Sequence, residues 1–415
     1  MKSLCSALFG AALLGAFVLQ FPSGACAQAR ERTVYSFCSK TGCADGAESY
    51  ASLIDVHGTL YGTTYEGGSH NSGAVFSFDP GTGAETVLYS FCSQTKCADG
   101  ANPYASLINV NGTLYGTTYQ GGVDTGECVP AGCGTVFSLD PATGAETVLY
   151  SFCSNGCSDG ASPYAGLIDV NGKLYGTTYA GGAGYNGGTA FSLDPSTGKQ
   201  KVLHSFCTQS GCTDGGNPRA GLISVNGMLY GTTYEGGSHD AGTVFSLDPG
   251  TGVYAILYSF CSQGNCADGE LPYAGLIDVN GKLYGTTKWG GGTGGLFSVD
   301  PGTGAETVVY PFCSLANCAD GANPVAGLID VNGTLYGTTL TGGAGKNAAG
   351  TVFSFDPGTG TETVLYSFCG HKGCRDGEDG KSPAAGAIKS NGRLYGTTFA
   401  GGANGSGIIF RVKGP

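Results

Sequence analysis

The sequence predicts an all-β chain folded as a single seven-bladed β-propeller. Three observations carry that reading. The pentapeptide Leu-Tyr-Gly-Thr-Thr occurs seven times, centred on Tyr61, Tyr115, Tyr175, Tyr230, Tyr284, Tyr336 and Tyr395. A recurrence of that length marks a repeat architecture, not a string of unlike domains. Each unit then offers four short apolar runs separated by turn residues, which is the pattern of a propeller blade with four antiparallel strands. Finally, the two ends complement each other. Residues 33–37 read as a fourth strand with no blade before it, and residues 407–412 as a third strand with no fourth after it. Pairing them closes the ring and hides sheet edges that would invite aggregation.

The elements follow in order along one unit. Residues 167–170 are short, apolar and β-branched, and Asn171-Gly172 follows before Lys173-Leu174-Tyr175 resumes the apolar pattern. Asn-Gly between two such runs is a strong hairpin signal, because both turn residues need positive φ. A Gly-Gly loop leads to the third strand at 136–139, which stops at Asp140-Pro141 because proline cannot donate to a ladder. Ala142-Thr143-Gly144 turns the chain into the fourth strand at 147–152. The blades are expected near 48–91, 102–152, 162–206, 217–260, 270–312 and 323–368, with the last at 381–413 plus 33–37.

Composition agrees. Glycine is 77 of 415 residues, charged residues are 12% and hydrophobic residues 41%, with 23 Tyr and 20 Phe. Such a chain buries a core and is not disordered. Glycine has no triplet period, which excludes collagen. Strand-forming Thr, Tyr and Val dominate over helix formers. The net charge of −12 disfavours a nucleic-acid partner, since phosphate binding needs clustered Lys and Arg.

The first 27 residues read as a secretory signal peptide. Lys2 supplies the charge, residues 8–21 the apolar region, and Ala25-Cys26-Ala27 the cleavage site. Lipid anchoring at Cys26 is the lesser alternative, because Ser23 stands where that signal wants Leu. No later stretch is long and apolar enough to span a membrane. The mature chain, residues 28–415, is expected to be a secreted or periplasmic monomer.

The unit resembles the GloVer-type tandem repeat of exported bacterial proteins, on Leu-Tyr-Gly-Thr-Thr-x-x-Gly-Gly as in residues 229–237. It is more distantly similar to kelch repeats, whose outer-strand Trp is missing here. The resemblance implies a propeller and no particular activity. Related chains often carry a C-terminal anchor, and this one ends at Lys413-Gly414-Pro415.

Sixteen cysteines beyond the leader fall into eight close pairs: Cys38/Cys43, Cys92/Cys97, Cys128/Cys133, Cys153/Cys157, Cys207/Cys212, Cys261/Cys266, Cys313/Cys318 and Cys369/Cys374. In an exported chain they read as disulfides closing loops after the fourth strands. Zinc needs four ligands, and blades are expected to hold the pairs apart, so no metal and no cofactor is expected. The Asp-Gly after seven of the pairs (Asp45, Asp99, Asp159, Asp214, Asp268, Asp320, Asp376) reads as a turn more readily than as a calcium ligand.

Strand alternation puts the constant Asn-Gly and Asp-Pro turns on one face. The other face carries the Cys loops, the insertion at 123–133, and the loops following Gly68, Gly122, Gly182, Gly237, Gly291, Gly343 and Gly402. Variable loops on a rigid scaffold are where binding is built. Departures from the repeat mark candidates. Lys288-Trp289 replaces Tyr-Glu, and the single Trp beside a Lys suits stacking on a sugar. Arg219 is a rare cation there. Tyr65, Tyr119, Tyr179, Tyr234 and Phe399 follow the Thr-Thr pair as an aromatic platform or as packing. Glu66 with His70, and Glu235 with His239, are acid–base types. No nucleophile elbow, zinc-protease motif or phosphate loop is present in the sequence.

The expected function is therefore a non-enzymatic binding module holding a glycan or protein on the variable face, with Trp289, Lys288, Arg219, Tyr234, Glu66 and His70 as binding candidates. The alternative is a polysaccharide lyase or glycoside hydrolase on the same face, with Glu235 and His239 as its weak catalytic candidates.

Overall fold

A computed structural model describes residues 32–123, 128, 131–154, 156–345, 347–370 and 379–414. Seven antiparallel sheets make a seven-bladed propeller. In the first blade the strands are Ile54–Val56, Thr59–Thr64, Ala74–Asp79 and Ala84–Ser90, hydrogen-bonded in that order. The first strand of each blade is innermost, and neighbouring first strands touch around the axis. The ring closes as the ends require. Arg32–Ser36 pairs antiparallel with Ile408–Lys413, with Thr33 opposite Phe410 and Ser36 opposite Ile408. In blade five an extra strand, Glu270–Pro272, pairs with a long second strand, Lys282–Trp289.

Sequence dictates each local feature. The hairpin turn at Asn171-Gly172 has φ of 56° and 79°. The third and fourth strands carry a bulge in every blade, between Val75 and Phe76 in the first and between Thr33 and Tyr35 in the last. Bulges of this kind sharpen the twist that a radial blade needs. The glycine of Leu-Tyr-Gly is a packing requirement. A Cβ on Gly62 would stand 2.7 Å from Phe76 Cζ and 2.8 Å from Leu53 Cδ2.

The core lies between blades. Each seam is stapled by one edge-on or tilted phenylalanine pair, from the Phe-Cys end of one blade to the third strand of the next. The pairs are Phe37–Phe76, Phe91–Phe137, Phe152–Phe191, Phe206–Phe245, Phe260–Phe297, Phe312–Phe353 and Phe368–Phe410, with centroids 4.9 to 5.2 Å apart. Each such pair adds about 0.5–1.5 kcal/mol beyond the burial of its rings.

Seven of the cysteine pairs are disulfides: Cys38–Cys43, Cys92–Cys97, Cys128–Cys133, Cys153–Cys157, Cys207–Cys212, Cys261–Cys266 and Cys313–Cys318. Cys374 lies outside the described residues, as does the segment 1–27. The Asp after the pair, where it is described, accepts from donors of its own loop and clamps it. Asp45 accepts from Ser39 N and Oγ, Lys40 N and Tyr35 Oη. In the last repeat the sequence points to Asp376, which is outside the described residues. It is Asp379, of a second Asp-Gly, that accepts from Tyr366 Oη and Cys369 N.

The Cys loops contain a single helical turn. Cys97 and Cys212 each end a three-residue 3-10 helix, Thr95–Cys97 and Ser210–Cys212. Cys43, Cys266 and Cys318 do the same in their blades. The cause is the short span between bonded cysteines. The chain must reverse within it, so Cys97 N donates to Gln94 O at 2.9 Å and Cys212 N to Gln209 O at 3.0 Å. Lys96 and Gly211, just before them, take left-handed φ of 59° and 72°. So do Cys97 and Cys212 themselves, at 54° and 48°.

One expectation about the cysteines, their separation, is corrected. The pairs are not all held apart by blades. Cys128–Cys133, in the insertion of blade two, lies against Cys153–Cys157, with Cys128 Sγ 3.8 Å from Cys153 Sγ. The reason is topological. The insertion joins the second and third strands, and so returns to the face where the next Cys loop leaves the fourth.

Candidate functional site: the axial mouth

The residues that lead into the innermost strands surround the axis on the variable face. The residue before Ala in each repeat is Tyr50, Tyr104, Tyr164, Arg219, Tyr273, Val325 and Ala384 in turn. All seven line a cavity of about 250 Å³, joined by Ser52, Ser106, Gly166, Lys288 and Leu340. The Thr-Thr pair builds this ring. The hydroxyl of the first Thr donates to the carbonyl of the next blade's Ala, as in Thr63 to Ala105 at 3.1 Å, Thr177 to Ala220 at 3.0 Å and Thr397 to Ala51 at 3.0 Å. In blade five the equivalent Thr286 Oγ1 is buried with no partner, and the next wall residue is Val325.

The wall is aromatic on one side. Tyr50 stacks on Tyr104 with centroids 4.3 Å apart, and Tyr104 lies 4.1 Å from Tyr164. The hydroxyls of Tyr164 and Tyr273 are hydrogen-bonded. The tyrosines after Thr-Thr stand behind this inner ring: Tyr65 meets Tyr50 edge-on at 5.6 Å, and Tyr119 meets Tyr164 at 5.9 Å. The aromatic-platform expectation thus resolves into two shells, and the inner one comes from residues the sequence reading had not singled out. Their signal was present: the position before Ala reads Tyr four times and departs to Arg, Val and Ala in the other blades. Burial raises the phenol pKa of Tyr50, Tyr104 and Tyr164, so these walls stay neutral.

The cations sit within this arc, beside Tyr164 and Tyr273. Arg219 Cζ sits 3.9 Å from the centroid of Tyr234, and 5.0, 5.2 and 5.5 Å from Tyr273, Tyr179 and Tyr164. Its Nε is buried with no hydrogen-bond partner. Lys288 Nζ lies 5.7 Å from Tyr273 and 6.0 Å from Trp289. Burial first, and repulsion from Arg219 second, hold the Lys288 ammonium below its ordinary pKa. Trp289 ends the long second strand of blade five and is 39% exposed, at the rim.

Of the sequence candidates, the fold brings Arg219, Tyr234, Lys288 and Trp289 into one sector. It does not bring in the others. Glu66 and Glu235 lie beyond the wall, their backbones bridged to Ala47 and Gly216. His70 is exposed, and His239 is exposed with Nδ1 3.0 Å from Ser238 Oγ. None of these four lines the cavity. The disulfides also stay out of it. No described cysteine, Cys97 and Cys212 included, is among the lining residues, so these bonds brace the scaffold and do not contact a ligand in the mouth.

The fold and this mouth define a class: a disulfide-stapled propeller with one aromatic, cation-bearing axial opening. Within that class the chain belongs to the Gloeobacter/Verrucomicrobia repeat family, matched over residues 21–214 and 207–410. No curated protein matches the chain. Among solved structures it is similar to an oligogalacturonate lyase in complex with manganese, at 11% identity, 94% of this chain, 98% of that one and a TM-score of 0.51. It is also similar to a putative 6-phosphogluconolactonase from Bacteroides uniformis, at 16% identity, 83% and 88% coverage and a TM-score of 0.48. A nidogen/laminin complex matches at 14% identity, 70% and 89% coverage and a TM-score of 0.42. At such identities the likeness is one of fold alone. Seven disulfides favour an oxidising extracellular or periplasmic environment. No helix among the described residues is long and apolar enough to cross a membrane.

Proposed function

We propose that the protein is an exported, monomeric, non-enzymatic binding module that takes the acidic end of a glycan in its axial mouth. The observation that carries this is the pairing of Arg219 and Lys288 on an otherwise tyrosine-lined wall. Tyrosine faces stack on the apolar faces of sugar rings. Two cations with no carboxylate partner among the described residues suit a carboxylate or sulfate on the same ligand. A cavity of about 250 Å³ suits an end group, not a folded surface. The lyase or hydrolase alternative, with Glu235 and His239 as its candidates, needs those two groups within reach of one bond. No Asp, Glu or His is among the described lining residues, and Glu235 and His239 stand outside them. Export rests on residues 1–27 acting as a signal peptide.

Calorimetric titration of the oxidised mature chain with matched neutral and uronate-terminated oligosaccharides tests the reading, with product release assayed in the same samples. Preference for the acidic series without release is expected. Release would move the assignment to the enzyme, and binding of neither series would shift it to a protein ligand or a structural role.

A further inference from the structure

We propose that Cys128, Cys133, Cys153 and Cys157 form a redox-gated zinc site: two disulfides when oxidised, and one tetrathiolate ligand set when reduced. Their four sulfurs all lie within 4.8 Å of one another. The separation between Cys128 Sγ and Cys153 Sγ is 3.8 Å. A tetrahedral zinc with bonds of about 2.3 Å sets its sulfurs about 3.8 Å apart. The contact between the two pairs already has that spacing, and each pair must part to it once its S–S bond opens.

Two independent departures from the repeat meet at this spot. The insertion of blade two brings a Cys pair that no other blade has in that loop. The pair it touches is spaced by four residues, where the other bonded pairs are spaced by five. The scaffold is rigid. Thr135 pairs with Ser151 across the third and fourth strands, so Cys133 and Cys153 leave the same end of one hairpin. Both are fully buried, at 1% and 0% exposure, against Phe152, Leu174 and Phe191. Cys128 and Cys157 are half-buried, and a small dithiol can reach them. Elsewhere among the described residues the largest such group is Cys261, Cys266 and Glu270, three ligands where structural zinc wants four.

The chemistry balances. Each disulfide accepts two electrons and two protons from a dithiol, which leaves as its cyclic disulfide. The four thiols then bind one Zn²⁺ as thiolates and release four protons to solvent, leaving a tetrathiolate complex of charge −2. In the reduced chain zinc would hold the insertion against the blade end, as the two disulfides do after oxidation.

The test uses the full chain in oxidised form and after reduction with a dithiol removed anaerobically. Both are equilibrated with ZnCl₂, dialysed against a weak chelator and assayed for metal. The reduced chain should retain one zinc, and the oxidised chain none. Cys128→Ser/Cys133→Ser should lose it, while Cys207→Ser/Cys212→Ser, which leaves the four sulfurs intact, should keep it. Cobalt loading of the reduced wild type should give a tetrahedral thiolate spectrum, which holds even where a variant misfolds. A reduced wild type that retains no zinc overturns the proposal. So does retention by Cys128→Ser/Cys133→Ser, or loss in the Cys207/Cys212 variant with its fold intact.

Discussion

The guanidinium of Arg219 lies 3.9 Å from the ring centroid of Tyr234, inside the arc of tyrosines that lines the axial mouth. Arg219 stands where blades one, two, three and five carry Tyr, so this one substitution places a cation in an arc of tyrosines. Arg219→Ala should weaken binding of a uronate-terminated oligosaccharide by about tenfold or more, the size of about 1.4 kcal/mol. Arg219→Lys should recover only part of it, because an ammonium keeps the charge and loses the planar stack. Calorimetric titration reads both, and unchanged affinity in Arg219→Ala would remove Arg219 from the site.

Lys288 gives the mouth a pH dependence with a definite sign. Burial and the nearby Arg219 depress its ammonium pKa in the free protein. A bound carboxylate favours the charged form and raises that pKa, so binding takes up a proton. Affinity should therefore fall as pH rises through the depressed pKa of the free protein. Lys288→Met should bind more weakly and without that slope. Titrations in two buffers of unlike ionisation enthalpy measure the proton uptake directly.

The propeller, its blade count and its closure by residues 33–37 were legible because each is written in periodic sequence, and the Arg32–Ser36 pairing with Ile408–Lys413 follows from it. Arg219, Lys288 and Trp289 were legible as departures from the repeat. The inner ring of Tyr50, Tyr104, Tyr164 and Tyr273 was not, because a residue repeated in most blades reads as scaffold. Only the closed ring shows that this position faces the axis. The 3-10 turns ending at Cys97 and Cys212 were hidden because three residues are too few to show a helical period. The contact of Cys128 with Cys153 was hidden for another reason, since the path of an insertion is not periodic.

Ring closure depends on the Phe37–Phe76 contact, with centroids 5.2 Å apart and both rings fully buried. Phe37→Ala should cost about 3–5 kcal/mol, as for other large core truncations. Because Phe37 joins the two ends of the chain, its loss should also loosen the N-terminal strand. Thermal unfolding gives the first, and faster hydrogen exchange confined to 33–37 and 408–413 gives the second. Gly62→Ala should also destabilise, by overpacking against Phe76.

The outer seams should make the ring sensitive to pH. Burial, and then the carboxylate of the preceding blade's loop, push Glu146 and Glu306 up to about 7 and Glu362 up to about 8. The neighbours are Asp99, Asp268 and Asp320, while hydrogen bonds to Tyr89, Tyr258 and Tyr310 pull the other way. Each Glu keeps one buried oxygen, Oε1, without a partner. Between the unfolded pKa of about 4.3 and these raised values, the folded chain holds protons that the unfolded chain has lost. Stability must then fall as pH rises across that window and level off above it. The melting temperature should be higher near about pH 5.5 than near about pH 8.5. Blade three shows how to remove the effect. There Gln200 occupies the same position and donates from Nε2 to the Asp159 carbonyl at 3.0 Å. Glu146→Gln, Glu306→Gln and Glu362→Gln together supply that donor at every pH. The triple variant should melt higher than wild type at alkaline pH and show a flatter profile, and an unchanged slope would place the pH sensitivity elsewhere.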